Sequence, residues 1–240
     1  MKFYSATQIG IGKKRNEDRI IIGNSVIADG IFESDIDSGV VAIADGVGGN
    51  NAGAIASHFI AAKLSEVETV NLDLMTSINE ELIKKSKQNP KFENMATTLS
   101  GVFINNQKFT VFNIGNSRVY TLQSGKYLKQ LTSDDTTLNY LIKSGQLSQD
   151  DADSFDRKSE IIACFGGGNS NLFKIKMVPV EINSSILITS DGIHDYLSID
   201  EMEDIIDEYG ISLAACKQMI FIARQHSSCD DVSVIIGGIS

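Results

Sequence analysis

Short apolar-rich runs fill the middle of the chain, and polar turn residues separate them. They cover residues 99–104, 109–114, 118–122 and 127–131. The runs are joined by connections such as Asn105-Asn106 and Ser124-Gly125. Such connections permit hairpins but are too short for parallel crossovers. The pattern therefore predicts a sheet that is mainly antiparallel.

Longer runs predict α-helices over residues 54–64, 72–87, 198–209 and 212–225. The second helix is expected to end before Asn89-Pro90, because proline restricts the residue that precedes it. The strands are grouped apart from the helices, which favours the α+β class. Residues 1–240 contain no internal repeat or second-domain boundary, and we expect them to form one domain.

The segment that follows the four central apolar runs is polar and acidic. It lies between Thr136 and Ser159 and contains one short amphipathic stretch, Leu138-Asn139-Tyr140-Leu141-Ile142. A pair of plain surface helices would give the same pattern. Farther along, Gly166-Gly167-Gly168 predicts a turn or a hinge, because glycine tolerates backbone conformations that other residues avoid.

The net charge of −10, from 21 basic and 31 acidic residues, argues against nucleic acid or an anionic membrane as a partner. No apolar stretch approaches the roughly 18 residues of a membrane span. The amino terminus carries Lys2 but no continuous apolar segment, so we expect a cytoplasmic protein without membrane insertion. Cys164, Cys216 and Cys229 are odd in number and lack metal-binding spacing, which predicts reduced and largely buried thiols.

Candidate chemistry begins with Asp45-Gly46-Val47-Gly48-Gly49, which directly follows the apolar residues 40–44. A dinucleotide-binding fingerprint would need glycine where Asn51 stands. A phosphate-binding loop would need Lys followed by Ser or Thr where Ala54-Ile55 stand. A carboxylate beside glycines that allow close backbone approach suits a hard cation instead.

Other acidic residues recur beside runs that are typical of buried strands. They are Asn16-Glu17-Asp18, Asp191-Gly192 and Asp230-Asp231. Each pair taken alone is more often a surface charge than a metal ligand. Brought together at one edge of a sheet, however, the carboxylates would repel each other unless protons or cations neutralised them. The joint pattern predicts a site for divalent metal.

Seven segments carry a family resemblance, and they stand in family order. They are Gly10-Ile11-Gly12-Lys13 with Asn16-Glu17-Asp18, Ala44 to Gly49, Ala96-Thr97-Thr98-Leu99, Ile114 to Tyr120, Leu131-Thr132-Ser133-Asp134-Asp135, Thr189 to Asp195, and Asp230 to Val234. From about residue 10 to 236 the chain resembles the metal-dependent serine/threonine protein phosphatases, the protein phosphatase 2C-like family, in a compact bacterial form. The resemblance implies a four-layer α-β-β-α sandwich with two central antiparallel sheets, and a flap at about residues 136–160 beside the catalytic cleft.

Residue by residue, the resemblance implies two Mn²⁺ or Mg²⁺ ions bridged by Asp45. Asp191 and Asp230 would hold the first ion, and Glu17 with the carbonyl of Gly46 the second. Asp18 would orient metal-bound water, and Asp195 would contribute to a weaker third metal position. The chemistry agrees, because both metals prefer oxygen ligands and retain several waters. The expected mechanism is direct attack by metal-activated hydroxide, without a phosphoenzyme.

Three positions depart from the family pattern. Lys13 stands where the family usually has a phosphate-binding arginine, and lysine lacks the planar fork of a guanidinium. Asn116 replaces an aspartate of the third metal position, which should weaken that position. Val47 replaces a histidine that is a candidate general acid in many relatives, and His194 is the nearest substitute by sequence.

These features predict a Mn²⁺- or Mg²⁺-dependent phosphatase that acts on phosphoserine and phosphothreonine in proteins and opposes a protein kinase. One alternative is a catalytically weak or inactive pseudophosphatase that binds a phosphoprotein or partner, which Lys13 and Asn116 would favour. A second alternative is an acidic cation-binding regulatory domain without phosphate chemistry. It predicts stabilisation by metal without hydrolysis.

Overall fold

The predicted strands are present in the computed structural model, which describes residues 1–48, 52–182 and 184–238 and the backbone alone of Asp153. Gly49 and Asn51 lie outside this part of the chain. The described strands are β1 (Lys2–Gln8), β2 (Asp18–Ile22), β3 (Ser25–Ile27), β4 (Gly30–Asp35), β5 (Gly39–Val47), β6 (Ala96–Thr97), β7 (Leu99–Asn105), β8 (Lys108–Ile114), β9 (Arg118–Gln123), β10 (Tyr127–Gln130), β11 (Phe165–Gly166), β12 (Lys176–Val180), β13 (Ile186–Thr189) and β14 (Val232–Gly238).

These strands form two sheets in which every pairing among the described residues is antiparallel, as predicted. The first sheet has the order β10-β9-β13-β14-β1-β4. The second has the order β11-β6-β5-β7-β8-β12, and the β2–β3 hairpin joins it through β5. The hairpins predicted from the short connections are β7–β8 and β9–β10.

The helices occur close to the predicted positions, and local capping explains their boundaries. Ser198 caps the fifth helix with Glu201 in a reciprocal capping box, and Ser212 caps the sixth. Asn71 caps the second helix, which ends at Ser86, ahead of Pro90. The helices are α1 (Ala52–Leu64), α2 (Leu72–Ser86), α3 (Thr137–Lys143), α4 (Asp191–His194), α5 (Ile199–Tyr209) and α6 (Leu213–Gln225).

Alternation along the strands divides the core into three layers and confirms the four-layer α-β-β-α sandwich. In β5, Val40 and Ala42 face α1 and α2, whereas Val41 and Ile43 face the other sheet. This is the two-residue period of a strand that is covered on both faces. The core between the sheets also contains side chains from β1, β13 and β14, and a third cluster packs the first sheet against α4, α5 and α6.

The acidic segment 136–160, named the flap because of the family resemblance, lies between β10 and β11. It contains α3, which covers the predicted amphipathic stretch, and one turn of 3₁₀-helix at Ala152–Ser154. Its ends are held together, because the Thr137 amide donates to the Glu160 carbonyl at 2.8 Å and Thr136 forms a β-bridge with Ile161. The flap is therefore a loop-like segment between β10 and β11 whose two ends are hydrogen-bonded to each other.

No helix in the described ranges has the length and hydrophobicity needed to cross a bilayer. The three cysteines are free thiols. Cys164 and Cys216 are buried as expected, but Cys229 is exposed, so the expectation of buried cysteines is wrong at that position. Cys229 lies in the loop between α6 and β14, where no helix or sheet layer covers it.

We expect one fast-reacting thiol per chain in the native protein, and it should be Cys229. Burial raises the pKa of Cys164 to about 11 and that of Cys216 to about 12. Both thiols are therefore protonated and shielded at pH 8, whereas Cys229 is accessible. Titration with a chromogenic disulfide should modify one thiol quickly and the other two after unfolding in urea. Loss of the fast phase in Cys229→Ser is the control, and fast modification of all three would contradict the prediction.

Candidate metal centre

The predicted carboxylates converge at one end of the sandwich, where the two sheets face each other. Asp18 and Asp45 are cross-strand partners in the antiparallel pairing of β2 with β5. In the other sheet Asp191 begins α4, one residue beyond the end of β13, and Asp230 lies shortly before its neighbour β14. Antiparallel neighbours place the end of one strand beside the start of the next, which brings these two aspartates to the same edge.

Asp45 lies inside β5 rather than after its end. The apolar residues 40–44 predicted only the buried part of this strand. The strand extends farther, because Gly46 and Val47 pair with β6. Hydrogen bonds from Thr97 Oγ1 and Thr98 N to the Asp45 carbonyl, both 2.8 Å long, fix this extension. The extended backbone therefore holds the Asp45 side chain in a defined direction.

A cavity of about 220 Å³ at this edge brings together most of the predicted site residues. Among the described residues it is lined by Lys13, Asp45, Gly46, Val47, Gly48, Asn116, Ser159, Ile161, Asp191 and Asp230. Three of the predicted ligand carboxylates thus face one space, together with the Gly46 backbone. Ser159 and Ile161 come from the flap and from the residue that follows it, so the flap borders the candidate site.

The other predicted residues surround this cavity without lining it. Glu17 turns toward the start of α1, where its Oε1 accepts a hydrogen bond from the Ala54 amide at 3.3 Å. Asp18 is completely buried beside Asp45. Asp195 accepts a hydrogen bond from Ser159 Oγ at 3.3 Å and lines an adjoining cavity of about 600 Å³ between the flap and β9–β10.

The electrostatics of the site are those of crowded carboxylates. Burial, followed by the nearby negative charges of Asp18, Asp191 and Asp230, raises the pKa of Asp45 well above its usual value. Burial and the neighbouring aspartates likewise raise the pKa of Asp18 and of Asp191. Desolvation and like charge both disfavour the ionised form, so the cluster favours the binding of positive charge.

The atoms that this cluster offers determine whether it suits a divalent metal. Within residues 1–48, 52–182 and 184–238, no three His, Cys, Asp or Glu side chains are already arranged as a metal-binding group. The carboxylates are instead engaged with Lys13, Asn116 and Ala54. Yet the buried Asp18 Oδ1 has no hydrogen-bond partner in the part of the chain that the structure describes. The atoms available to coordinate a metal are carboxylate and carbonyl oxygens. These oxygen atoms suit Mg²⁺ or Mn²⁺, provided that the carboxylate side chains leave their present partners and rotate toward the ion.

A closed ring of hydrogen bonds orients Asp18. The Asn16 side-chain amide donates to Thr7 Oγ1, Thr7 bonds to Ser233 Oγ, and Ser233 Oγ donates to Asp18 Oδ2 at 2.6 Å. The ring closes because the Asp18 backbone amide donates a hydrogen bond to Asn16 Oδ1 at 2.9 Å. Sequence reasoning placed Asn16 and Ser233 in motifs but gave them no role. The available signal was a hydroxyl at an otherwise apolar position of β14.

Asp231 is a third residue whose role sequence reasoning missed. Its side chain is 3% exposed, and its Oδ1 accepts from the Gly10 amide at 2.7 Å. Its Oδ2 accepts from the Glu17 amide at 2.9 Å and from Lys13 Nζ at 3.0 Å. One carboxylate thus fastens the loop between β1 and β2, including Glu17, to the start of β14. Adjacent acidic residues give no sequence signal for which of them turns inward.

The three departures from the family pattern and the substitute histidine also have defined positions, with Val47 in the cavity lining. The Lys13 ammonium contacts Asp230 Oδ1 as well as Asp231, and although burial lowers the pKa of Lys13, these hydrogen bonds leave it raised. Asn116 Nδ2 donates to Asp191 Oδ2 at 2.9 Å. His194 is buried and bonded through Nδ1 to Thr189 Oγ1 at 2.8 Å, and burial holds its pKa well below the usual value. A neutral, buried imidazole outside the cavity lining gives no support to a general-acid role.

Close backbone contact explains two glycines of the site. A Cβ on Gly46 would come within 2.4 Å of the Gly53 carbonyl group, and a Cβ on Gly53 would come within 2.6 Å of the Gly46 carbonyl carbon. The start of α1 therefore packs directly on the end of β5. This contact fixes the Gly46 carbonyl beside Asp45 and sets the position of the Ala54 amide that holds Glu17.

We expect Gly53→Ala to destabilise the protein by about 1–3 kcal/mol, because the added methyl group forces backbone to move in a packed region. Alanine is otherwise the better helix former and would add stability at an unrestricted helical position. Urea unfolding followed by circular dichroism measures the change. A variant as stable as the wild type, or more stable, would show that α1 is not held against β5 in this way.

The sequence matches a known protein family and its members. Residues 22–225 match the family model described as Protein phosphatase 2C. The serine/threonine phosphatase stp of Listeria monocytogenes is 27% identical over 220 residues, which cover 86% of this chain and 87% of that protein. The protein phosphatase PhpP of Streptococcus pneumoniae is 26% identical over 238 residues, which cover 94% and 93%.

Solved structures show the same fold. The crystal structure of the Mycobacterium tuberculosis serine/threonine phosphatase PstP/Ppp superposes with a TM-score of 0.83 at 23% identity, over 100% of both chains. The catalytic domain of PstP in complex with two manganese ions gives a TM-score of 0.78 at 21% identity, also over 100% of both chains. The two-sheet sandwich with its helical layers is thus shared along the whole length.

Proposed function

The chain belongs to the protein phosphatase 2C family, and we propose that it is a phosphoprotein phosphatase that hydrolyses phosphoserine and phosphothreonine with Mn²⁺ or Mg²⁺. The observation that carries this proposal is the convergence of Asp45, Asp191 and Asp230 on one cavity. Relatives of nearly equal length bear the names of serine/threonine phosphatases, and the solved PstP catalytic domain holds two manganese ions.

The proposed ligand roles are those that the family resemblance implies, and the positions of the oxygens support them in part. Asp45 lines one cavity with Asp191 and Asp230, and these three carboxylates would hold divalent metal. The Gly46 carbonyl is already fixed by Gly53, and Glu17 would have to leave the Ala54 amide. Asp195 would reach a third ion through the Ser159 side of the cavity, where Asn116 now offers its amide nitrogen to Asp191.

Bound divalent metal would supply an activated water and would neutralise charge on the phosphate. The chain's own groups do the rest. Asp18, oriented by the ring through Asn16 and Ser233, presents a buried carboxylate that can hold and receive a proton beside Asp45. Lys13 lines the cavity and supplies positive charge for an anionic substrate. The flap would border the bound phosphoprotein through Ser159 and the adjoining cavity.

The expected partners are phosphorylated proteins, and a cognate serine/threonine kinase would supply them. The net charge of −10 argues against nucleic acid as a partner. Three free thiols, one of them exposed, suit a reducing compartment and support a cytoplasmic place of action.

One observation favours a second candidate, a pseudophosphatase that binds a phosphoprotein without turnover. Lys13 is engaged with Asp230, and Asn116 with Asp191, so two ligand carboxylates already have protein partners. Binding energy spent on displacing these partners would weaken metal affinity. In this case phosphopeptide binding would be measurable while hydrolysis remained absent at any metal concentration.

A phosphopeptide panel assayed for phosphate release, with and without Mn²⁺, distinguishes the two candidates. We expect release that requires metal and favours phosphoserine and phosphothreonine peptides over phosphotyrosine peptides. Rapid quenching during turnover should find no phosphate covalently attached to the protein. Binding of the same peptides without any metal-dependent release would support the pseudophosphatase instead.

A further inference from the structure

Lys13 is held at the candidate metal centre by a rigid frame. The Arg224 guanidinium donates to the Ile9 carbonyl and to the Asp230 carbonyl, both at 2.8 Å, and so ties the β1–β2 loop to the loop before β14. Gly10 packs so closely there that a Cβ would lie 2.5 Å from the Cys229 carbonyl oxygen. The backbone at both ends of the Lys13–Asp230 contact is therefore fixed.

The two carboxylates that share the Lys13 ammonium differ in burial and in their other partners. Asp231 is 3% exposed and also accepts the Gly10 and Glu17 amides. Asp230 is 47% exposed and also accepts the Asp231 amide at 2.8 Å. The Asp231 contact is thus part of a buried network, whereas the Asp230 contact can exchange at the edge of the cavity.

A divalent ion and the Lys13 ammonium would compete for Asp230. Both are cations that bind the same carboxylate oxygens, and two positive charges at one carboxylate repel each other. Lysine has a flexible four-carbon stem and three donors, so its ammonium can turn away from one carboxylate while it keeps another. The Lys13 side chain is 34% exposed, which leaves room for that movement.

We propose that Lys13 is a built-in counter-cation of Asp230 that yields this carboxylate to the divalent ion, keeps Asp231, and thereby frees a donor for the phosphate of the substrate. This inference rests on the proposed function. It makes Lys13 a sensor of metal loading, because its donor becomes available to phosphate when a metal ion has taken Asp230. The contact that lowers metal affinity is the same one that prevents phosphate binding at a site without metal.

Calorimetric titration of Mn²⁺ into metal-free protein tests the first half of the proposal. Lys13→Gln removes the charge at similar length, and Lys13→Arg keeps the charge as the matched control. We expect Lys13→Gln to bind Mn²⁺ roughly two- to fivefold more tightly than the wild type, which is the range expected from a partly exposed ion pair. Lys13→Arg should not gain affinity. Equal or weaker Mn²⁺ binding by Lys13→Gln would overturn the proposal.

Titration with inorganic phosphate tests the second half. With Mn²⁺ saturating, Lys13→Gln should bind phosphate more weakly than the wild type, while the two metal-free proteins should bind it equally. A loss that is the same with and without Mn²⁺ would overturn the coupling. In Lys13→Gln the Asp231 carboxylate keeps the Gly10 and Glu17 amides, and Lys13→Met, a second uncharged variant of similar length, must show the same gain in Mn²⁺ affinity.

The outcomes separate this inference from the proposed function. A wild type that binds Mn²⁺ and hydrolyses phosphopeptides, beside a Lys13→Gln that binds Mn²⁺ no more tightly, overturns the inference alone. A wild type that binds no Mn²⁺ overturns both. Tighter Mn²⁺ binding together with metal-dependent loss of phosphate affinity supports the inference even where turnover is slow.

Discussion

Asp45→Asn is expected to lower the turnover number for phosphopeptide hydrolysis by roughly a thousandfold, a loss of the size seen when a central electrostatic group is removed. Asp45 is the residue that faces Asp18 across the β2–β5 pairing and shares the cavity with Asp191 and Asp230. An amide cannot bridge two ions as a carboxylate can, because one of its two donor atoms is an NH₂ group. Steady-state phosphate release at saturating Mn²⁺ measures the effect.

The same variant should change stability in two opposite ways. Without metal it should melt at a higher temperature than the wild type, because one charge leaves a cluster in which burial and repulsion raise the pKa of Asp45. On addition of Mn²⁺ the wild type should gain stability by ligand linkage, and the variant should gain little.

Asp37→Asn is the matched control for Asp45→Asn. It makes the same chemical change at an exposed position just before β5, at the opposite end of the strand from Asp45. This control should retain turnover and the full response to Mn²⁺. An Asp45→Asn variant that keeps wild-type turnover, or that melts with the same Mn²⁺ response as Asp37→Asn, would remove Asp45 from the metal centre.

The sequence predicted the elements because their periodicities are local. The hairpins β7–β8 and β9–β10 follow from short polar connections, and α5 and α6 begin at the serines that cap them. The end of β5 was not predictable in this way, because its last residues are held by pairing with β6, which lies about fifty residues later in the chain. A contact of that sequence separation leaves no local pattern.

The candidate site was also predictable only in part from the sequence. The acidic residues beside apolar runs predicted a shared edge for Asp45, Asp191 and Asp230, and all three line one cavity. The hydrogen-bond partners were beyond the reach of the sequence. That Lys13 contacts Asp230 and that Asn116 turns its nitrogen to Asp191 depend on which donors three-dimensional packing brings within about 3 Å. The assignment of these residues to metal or phosphate remains a prediction.

Asp230→Ala and Asp231→Ala should have opposite consequences although the two residues are adjacent. We expect Asp231→Ala to lower the free energy of unfolding by about 2–3 kcal/mol, because the Gly10 and Glu17 amides lose a buried, charged acceptor. Asp230 is half-exposed, and Asp230→Ala should cost less than about 1 kcal/mol, as for a partly exposed ion pair. Urea unfolding of metal-free protein measures both values.

The response to Mn²⁺ should reverse that order. Asp230→Ala removes a proposed ligand and should abolish most of the stabilisation by Mn²⁺, while its metal-free fold stays close to that of the wild type. Asp231→Ala keeps all proposed ligands but releases the loop that carries Glu17, so it should retain a weakened response at temperatures where it is folded. Equal losses of stability in the two variants would mean that Asp231 does not fasten this loop. A full Mn²⁺ response in Asp230→Ala would remove that residue from the metal centre.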